Sequence, residues 1–316
     1  MTINETARWL KDHDNFCILT HRNPDGDTIG CAVGLCRGLR EIGKQAVILE
    51  NPQFTVRYDC YLDGLVSATV PQNATVISVD MAAESLLPDP FKPLAGQIAL
   101  SIDHHGSNTG FAPNTMIEAD SAACGELVYL LLQALEAPIC PETADALYLA
   151  ISTDTGCFQY SNTTSRTLRI AADLKDAGSH TAAINKIMFD TKSFARIQLE
   201  SRLTDCMERL AGGLVALCRL PISWMDELGL TEDDVDSISS FPRTVEGVQV
   251  GVMLRELPNG AVKLSLRTSP HYNASDICAL LGGGGHNAAA GATIPGDFEA
   301  ARTQVLDALR QKGVAV

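Results

Sequence analysis

Short, almost wholly apolar runs recur through the first part of the chain, each followed by a stretch of helical periodicity. The runs are Phe16–Thr20, Ala46–Leu49, Ala74–Val79 and Gln97–Leu100. Thr2–Asp12 and Thr28–Ile42 carry apolar residues at helical spacing, the second as Ile29, Val33, Cys36, Leu39 and Ile42 before Gly43. A run that is apolar on both faces suits a parallel sheet covered on both sides, whose strands are joined by helical crossovers. The pattern predicts an α/β fold. Further helices are expected at Val56–Leu62, Ala122–Glu136, Pro141–Thr153, Ser165–Ala177 and Thr181–Met188.

After Gly212-Gly213 the rhythm changes. Leu214–Leu220, Val248–Arg255 and Ala261–Arg267 read as strands, with Pro258-Asn259-Gly260 turning the second into the third. Helices are expected at Ala274–Leu281 and Phe298–Lys312, and a polar, charged helix over Ser193–Leu210 would serve as a connector. A chain of 316 residues can support two cores. The expected division is a mostly parallel-sheet domain flanked by helices over 1–190, a helical linker over 191–212, and a smaller mixed α/β domain over 213–316 across a cleft.

Three of the apolar runs lead directly into acids and histidines. Leu19-Thr20 is followed by His21, Asp25 and Asp27, Val79 by Asp80, and Ser101-Ile102 by Asp103-His104-His105. The carboxyl ends of parallel strands share one edge, where ligands bind, so these groups would converge. Asp154, closing a helix before Gly156, can complete the set. Taken singly, Asp25-Gly26-Asp27 reads as a turn, Asp80 as a cap and Asp154-Thr155-Gly156 as a helix stop, but turn chemistry does not explain all of them at once. Carboxylates at Asp25, Asp27, Asp80 and Asp154 on one rim would raise one another's pKa unless cations intervene. Two divalent metals would balance them, and mixed oxygen and imidazole donors suit manganese, magnesium or iron. Two metals about 3.5–4 Å apart form a clamp for phosphoryl hydrolysis. Asp80, alone at its strand end, is the natural bridge between them. Successive strand residues face opposite ways, so His104 and His105 are expected to do different jobs.

Charge and composition narrow the partners. The net charge is −14 without any Lys/Arg cluster, whereas a protein that wraps long nucleic acid needs a basic footprint. Long duplexes are therefore not expected as partners. The 10 cysteines are scattered with no Cys-x-x-Cys pair, which argues against a thiolate zinc site or a disulfide framework. The apolar runs break far short of the roughly 20 residues of a membrane span. Met1–Thr6 lacks the features of a signal peptide, so a cytoplasmic location is expected. Near the end, Gly282-Gly283-Gly284-Gly285-His286 would let backbone approach a ligand and form an anion nest.

These motifs carry a resemblance. His21-x-x-x-Asp25-x-Asp27, Asp80, Asp103-His104-His105 and Asp154-Thr155-Gly156 resemble the four motifs of the DHH phosphoesterase superfamily. Ser265-Leu266-Arg267-Thr268, with Gly282–His286 and Ala289-Ala290-Gly291, resembles its DHHA1 subdomain. Together they span nearly the whole chain, whose length is similar to that of the NrnA-like group of oligoribonucleases and 3′-phosphoadenosine 5′-phosphate phosphatases.

The resemblance implies a two-metal hydrolase, with a catalytic DHH domain and a DHHA1 substrate-binding domain. It implies manganese, or else magnesium or iron, with His21 and Asp25 on one ion, Asp27, His104 and Asp154 on the other, and Asp80 bridging. His105 would face the substrate phosphate and Asp103 would orient an imidazole. Arg267, Thr268, Gly283, Gly284, Gly285 and His286 would bind the substrate: short RNA, a dinucleotide, a linear product of a cyclic dinucleotide, or 3′-phosphoadenosine 5′-phosphate. A homodimer is compatible with it. Two departures stand out: Thr268 where many relatives have serine, and Asn287 in place of a commoner lysine. The rival readings are a RecJ-like single-strand exonuclease, which needs more basic surface, and a family II pyrophosphatase, which lacks the glycine loop. A non-catalytic nucleotide sensor belongs to a different class, and the intact ligand set argues against it.

Overall fold

In the computed structural model, which describes residues 1–235 and 238–316, the chain divides into two units, Met1–Thr191 and Lys192–Val316. The first holds strands β1 (Phe16–Leu19), β2 (Ala46–Leu49), β3 (Val66–Ser67), β4 (Thr75–Val79), β5 (Leu100–Asp103) and β6 (Asn114–Ile117). They lie in the order β3-β2-β1-β4-β5-β6, and every pairing is parallel. The strand expected at Gln97–Leu100 sits three residues later, so Asp103 is its last residue rather than part of the loop beyond. β6 was not expected. It is an edge strand of polar composition with only Met116 buried, so it carries no apolar run to reveal it.

Seven helices belong to this unit: α1 (Ile3–Asp12), α2 (Gly26–Glu41), α3 (Asp59–Leu62), α4 (Cys124–Leu135), α5 (Pro141–Asp154), α6 (Ser165–Asp176) and α7 (Thr181–Asn185). α1, α2, α4 and α5 pack with one face of the sheet, against Phe16, Ile18, Ile77, Val79, Leu100 and Ile102. The other face, with Cys17, Leu19, Leu49 and Val76, is covered by Met81, Leu87, Phe91 and Ile98. Those residues come from the segment 81–98, which includes two 3-10 turns, Glu84–Leu86 and Asp89–Leu94, and in which Pro88, Pro90 and Pro93 prevent a longer helix.

Four glycines recur every fourth residue along α2: Gly26, Gly30, Gly34 and Gly38. A Cβ on Gly30 would stand 2.2 Å from the Ala146 carbonyl oxygen, one on Gly26 2.4 Å from Thr153 Oγ1, and one on Gly34 2.7 Å from a Leu147 methyl. Moving down α2 thus moves back up α5, so the two helices run antiparallel in near-backbone contact. The first turn of α2, with Asp27, is thereby set beside the last turn of α5, with Asp154.

The second unit contains α8 (Phe194–Asp205), β7 (Glu208–Leu210), β8 (Val215–Leu220), α9 (Ser223–Leu228), α10 (Glu232–Val235), β9 (Val250–Glu256), β10 (Val262–Thr268), α11 (Ala274–Ala279), β11 (Gly284–Gly285), β12 (Ala289–Ile294) and α12 (Phe298–Gln311). Its sheet runs β11-β12-β10-β9-β8-β7 and is mixed, β8–β9 being parallel and the other pairs antiparallel. The connector helix ends at Asp205, because Glu208–Leu210 pairs with β8 as an edge strand. Leu199 and Leu203 of α8 are buried with Cys218, Leu220 and Met253, so this helix is part of the second core. Among the described residues, no helix is long and apolar enough to cross a membrane.

Gly30→Ala tests the α2–α5 contact. Alanine gains about 1 kcal/mol of helix propensity over glycine, but here its methyl meets a backbone oxygen that cannot rotate away. Overpacking of this kind costs about 1–3 kcal/mol, so a net loss is expected. Urea denaturation should show a lower midpoint with an unchanged slope; an equal or higher midpoint would contradict the contact.

Candidate active site

The strand order of the first unit reverses between β1 and β4, and ligands bind in the crevice that such a reversal opens at the carboxyl edge. β1 delivers His21, Asp25 and Asp27 there, β4 delivers Asp80, and β5 delivers Asp103, His104 and His105. α5 brings Asp154 as its last residue. His21 Nε2 lies 3.7 Å from both Asp25 Oδ1 and Asp80 Oδ2. His104 Nε2 lies 3.7 Å from Asp27 Oδ2, 3.6 Å from Asp80 Oδ1 and 3.5 Å from Asp154 Oδ2. Three groups of donor atoms fall within 4.8 Å of one another: His21, Asp25, Asp80; Asp27, His104, Asp154; and Asp80, His104, His105. Asp80 belongs to two of them.

These separations exceed a hydrogen bond, and the imidazoles are held by their other nitrogens. His21 Nδ1 donates to the Arg22 carbonyl at 2.8 Å, and His104 Nδ1 donates to the Ser121 carbonyl at 3.1 Å. In each ring this turns the Nε2 lone pair toward the carboxylates, as metal-binding histidines require. Asp25 caps α2, accepting from the Asp27 and Thr28 amides at 3.1 Å each. Asp27 accepts from the Cys124 and Gly125 amides at 2.7 and 2.9 Å, in the first turn of α4. Asp80 is 2 % exposed, its Oδ1 has no hydrogen-bond partner, and its backbone is left-handed at φ 53°. Such strain costs about 1–3 kcal/mol and clusters at functional sites.

His104 and His105 do not take opposite faces. β5 ends at Asp103, so strand alternation no longer applies, and the two rings meet edge to face with centroids 4.5 Å apart. His105 Nδ1 lies 2.8 Å from Asp103 Oδ1 and 3.6 Å from Asp80 Oδ1. Asp103 also accepts from the His104 amide at 2.9 Å and from Asn108 Nδ2 at 2.7 Å. Ser121 and the α4 amides were invisible to motif reading, because each acts through its backbone on a side chain distant in sequence.

Burial, then the charges of Asp80, Asp154 and Asp25, push Asp27 well above the usual carboxylate range. Asp154 is pushed up to about 7 by burial and by Asp80 and Asp25, against the pull of His104. The hydrogen bond that His105 donates to Asp103 raises His105 to about 9 against its burial. Burial acts upward on Asp103 too, but the bonds from His105 and Asn108 hold it below its ordinary value. An orphaned buried carboxylate oxygen, mutually repelling acids and open imidazole nitrogens make a donor set that fits divalent cations.

In the second unit, Arg267 pairs in register with Ala289, and its Nη2 donates to Ser239 Oγ at 2.9 Å. The Thr268 hydroxyl faces two backbone carbonyls, of Tyr272 at 2.7 Å and Asn287 at 3.0 Å, so it fastens the 286–289 turn. The glycine run is not a loop between two helices. Gly284 and Gly285 form β11 against β12, whose small residues gave no strand signal. A Cβ on Gly283 would meet the Gly291 carbonyl oxygen at 2.1 Å, and Gly285 has φ 146°, so both positions demand glycine. His286 closes the turn, exchanging backbone hydrogen bonds with Ala289 at 2.8 and 3.2 Å.

A parallel sheet with an Asp/His cluster on its carboxyl rim, followed by a mixed-sheet unit with a glycine ribbon, defines a phosphoesterase. Residues 15–151 match the DHH family N-terminal domain, and residues 214–312 match the DHHA1 domain. The chain is similar to the bifunctional oligoribonuclease and PAP phosphatase NrnA of Thermus thermophilus, 35 % identical over 301 residues covering 93 % of this chain and 89 % of that one. Among solved structures, an exopolyphosphatase-related protein from Bacteroides fragilis has the same fold, with TM-score 0.88 at 23 % identity over 98 % of this chain and 95 % of that one. RecJ of Thermus thermophilus in complex with Mn2+ is a more distant fold neighbour, with TM-score 0.55 at 16 % identity over 98 % of this chain and 55 % of that one. This chain belongs to the DHH/DHHA1 phosphoesterase family, in its NrnA-like group, and is a hydrolase.

The raised acids set a pH signature for the metal-free protein. A carboxylate whose folded pKa is raised contributes stability below its unfolded value near 4 and loses it as pH climbs through about 7. His105 acts in the same direction, losing its contribution toward about 9. The metal-free protein should therefore weaken from pH 5.5 to 8 while competition by protons for the ligands fades. The rise in Tm on adding manganese to EDTA-stripped protein is expected to be larger at pH 8 than at pH 5.5. An equal rise at both values would contradict the clustering.

Proposed function

We propose that this protein hydrolyses short oligoribonucleotides and dinucleotides, linear products of cyclic dinucleotides among them, and 3′-phosphoadenosine 5′-phosphate, with two manganese ions. The observation that carries the reading is Asp80, a buried carboxylate shared between two donor clusters with one oxygen unpartnered. In this reading His21 and Asp25 hold one ion, Asp27, His104 and Asp154 hold the other, and Asp80 lies between them. Two such ions would supply Lewis acidity and a nucleophile at neutral pH.

The chain's own groups do the rest. Asp103 pins His105, which holds a phosphoryl oxygen as charge develops there. Arg267, steadied on Ser239, and His286 at the end of the glycine ribbon bind the substrate's nucleotide end. Gly283, Gly284 and Gly285 let backbone amides come close to it, and Thr268 keeps the turn in place. A net charge of −14 disfavours long polyanions and supports the restriction to short substrates. The NrnA relative, a bifunctional oligoribonuclease and PAP phosphatase, agrees with this substrate class.

Asp80→Asn keeps the side-chain shape and a residue that tolerates left-handed backbone. Turnover should fall by more than about 100-fold, the loss that follows removal of a group that merely orients a ligand, while circular dichroism stays unchanged. Substantial manganese-dependent activity in this variant would remove the bridging role. For substrate class, the test is product release from a dinucleotide, pApA, 3′-phosphoadenosine 5′-phosphate and a long RNA, each with manganese. Rapid degradation of the long RNA would overturn the restriction to short substrates.

A further inference from the structure

Arg166, outside every motif, holds the segment that aims the Asp27–His104–Asp154 donor cluster. Its guanidinium donates from Nε to Glu126 Oε2 at 2.9 Å, from Nη1 to Glu118 Oε1 at 2.6 Å and from Nη2 to Ser121 Oγ at 2.7 Å. Glu126 is fully buried, and its other oxygen accepts from the Thr167 hydroxyl. Among the described residues, Arg166 is the one cation paired with it. A buried carboxylate without its partner is strongly destabilising, so the guanidinium fixes where residues 118–126 lie.

That segment holds two members of the Asp27–His104–Asp154 cluster directly and is tied to the backbone of the third through Asn162. The Ser121 carbonyl accepts from His104 Nδ1, and the Cys124 and Gly125 amides hold the Asp27 carboxylate. The Ala122 carbonyl accepts from Asn162 Nδ2 at 2.9 Å, and the same amide group donates to the Asp154 carbonyl at 3.2 Å. The His21–Asp25 side is supported independently. His21 bonds the Arg22 carbonyl, Asn51 Nδ2 donates to the His21 carbonyl at 2.9 Å, and Asp25 caps its own helix.

We infer that Arg166 is a positioning residue that selectively sets the metal affinity of the Asp27–His104–Asp154 cluster and leaves the His21–Asp25 cluster alone. The inference rests on the two-metal reading above. Its planar fork matters as much as its charge, because three acceptors on one segment are met at once.

The test is manganese binding to EDTA-stripped full-length protein, followed by titration calorimetry and electron paramagnetic resonance. His21→Asn and His104→Asn are expected to hold one ion each where the unmodified protein holds two. Adding Arg166→Lys to His21→Asn should weaken the remaining ion by about 10- to 100-fold. Adding it to His104→Asn should change the remaining ion less than twofold. Equal weakening in both backgrounds, or none in either, overturns the inference. If the unmodified protein holds fewer than two ions, the two-metal reading falls; if it holds two and both single variants still hold two, the assignment of His21 and His104 to separate ions falls and takes the inference with it. Should the lysine variants fail to fold without metal, Ser121→Ala takes their place, because it removes one arm of the clasp and keeps the buried Arg166–Glu126 pair. It must then weaken the ion only in the His21→Asn background; no effect there would equally overturn the inference.

Discussion

Acids that repel one another at the end of a parallel sheet are the constraint on which the first unit depends. Asp27 and Asp80 are each 2 % exposed, and Asp154 stands at the carboxyl end of α5, where a helix dipole disfavours negative charge. Nothing in packing alone would collect them. Each is instead held by a separate device: Asp27 by the amino end of α4, Asp80 by a left-handed backbone, Asp154 by the helix that carries it. The protein builds in an electrostatic debt that cations can relieve.

Helix packing makes the cluster possible. The glycine line on α2 lets α5 approach at backbone distance, and that approach sets the first residues of one helix beside the last residue of the other. Side chains at Gly26, Gly30 and Gly34 would separate Asp27 from Asp154 even with every motif residue intact. The geometry of the acid and histidine cluster and the core packing of this unit are therefore one feature. In the second unit glycine works differently: Gly283 and Gly285 let β11 fold back on β12, and the resulting ribbon ends in His286.

Much of the first unit was legible because apolar runs and ligand residues alternate in the chain itself. Asp25, Asp27, Asp80 and the Asp103-His104-His105 stretch each follow a run that could only be a buried strand, and parallel order then brings their ends together. β6 and β12 escaped because an edge strand of Asn-Thr-Met-Ile and a strand of Ala and Gly carry no such signature. Strand alternation predicts a division of labour between His104 and His105, yet the strand stops one residue too early for alternation to govern them. Arg166 lay beyond reach for a further reason: its partners Glu118, Ser121 and Glu126 are brought to it by the fold, and no local spacing encodes that.

What the sequence determined by itself was the order of elements and the identity of the donor side chains, since strand burial, turn chemistry and donor type are local properties. What only the tertiary structure decided was which donors share a space and which way they point. Asp80 belongs to two clusters, His104 is aimed by the Ser121 carbonyl, and Asp27 meets Asp154 across a glycine contact, because those relations are set by distances between segments remote in the chain. Chemistry was written in the residues, and geometry in their packing.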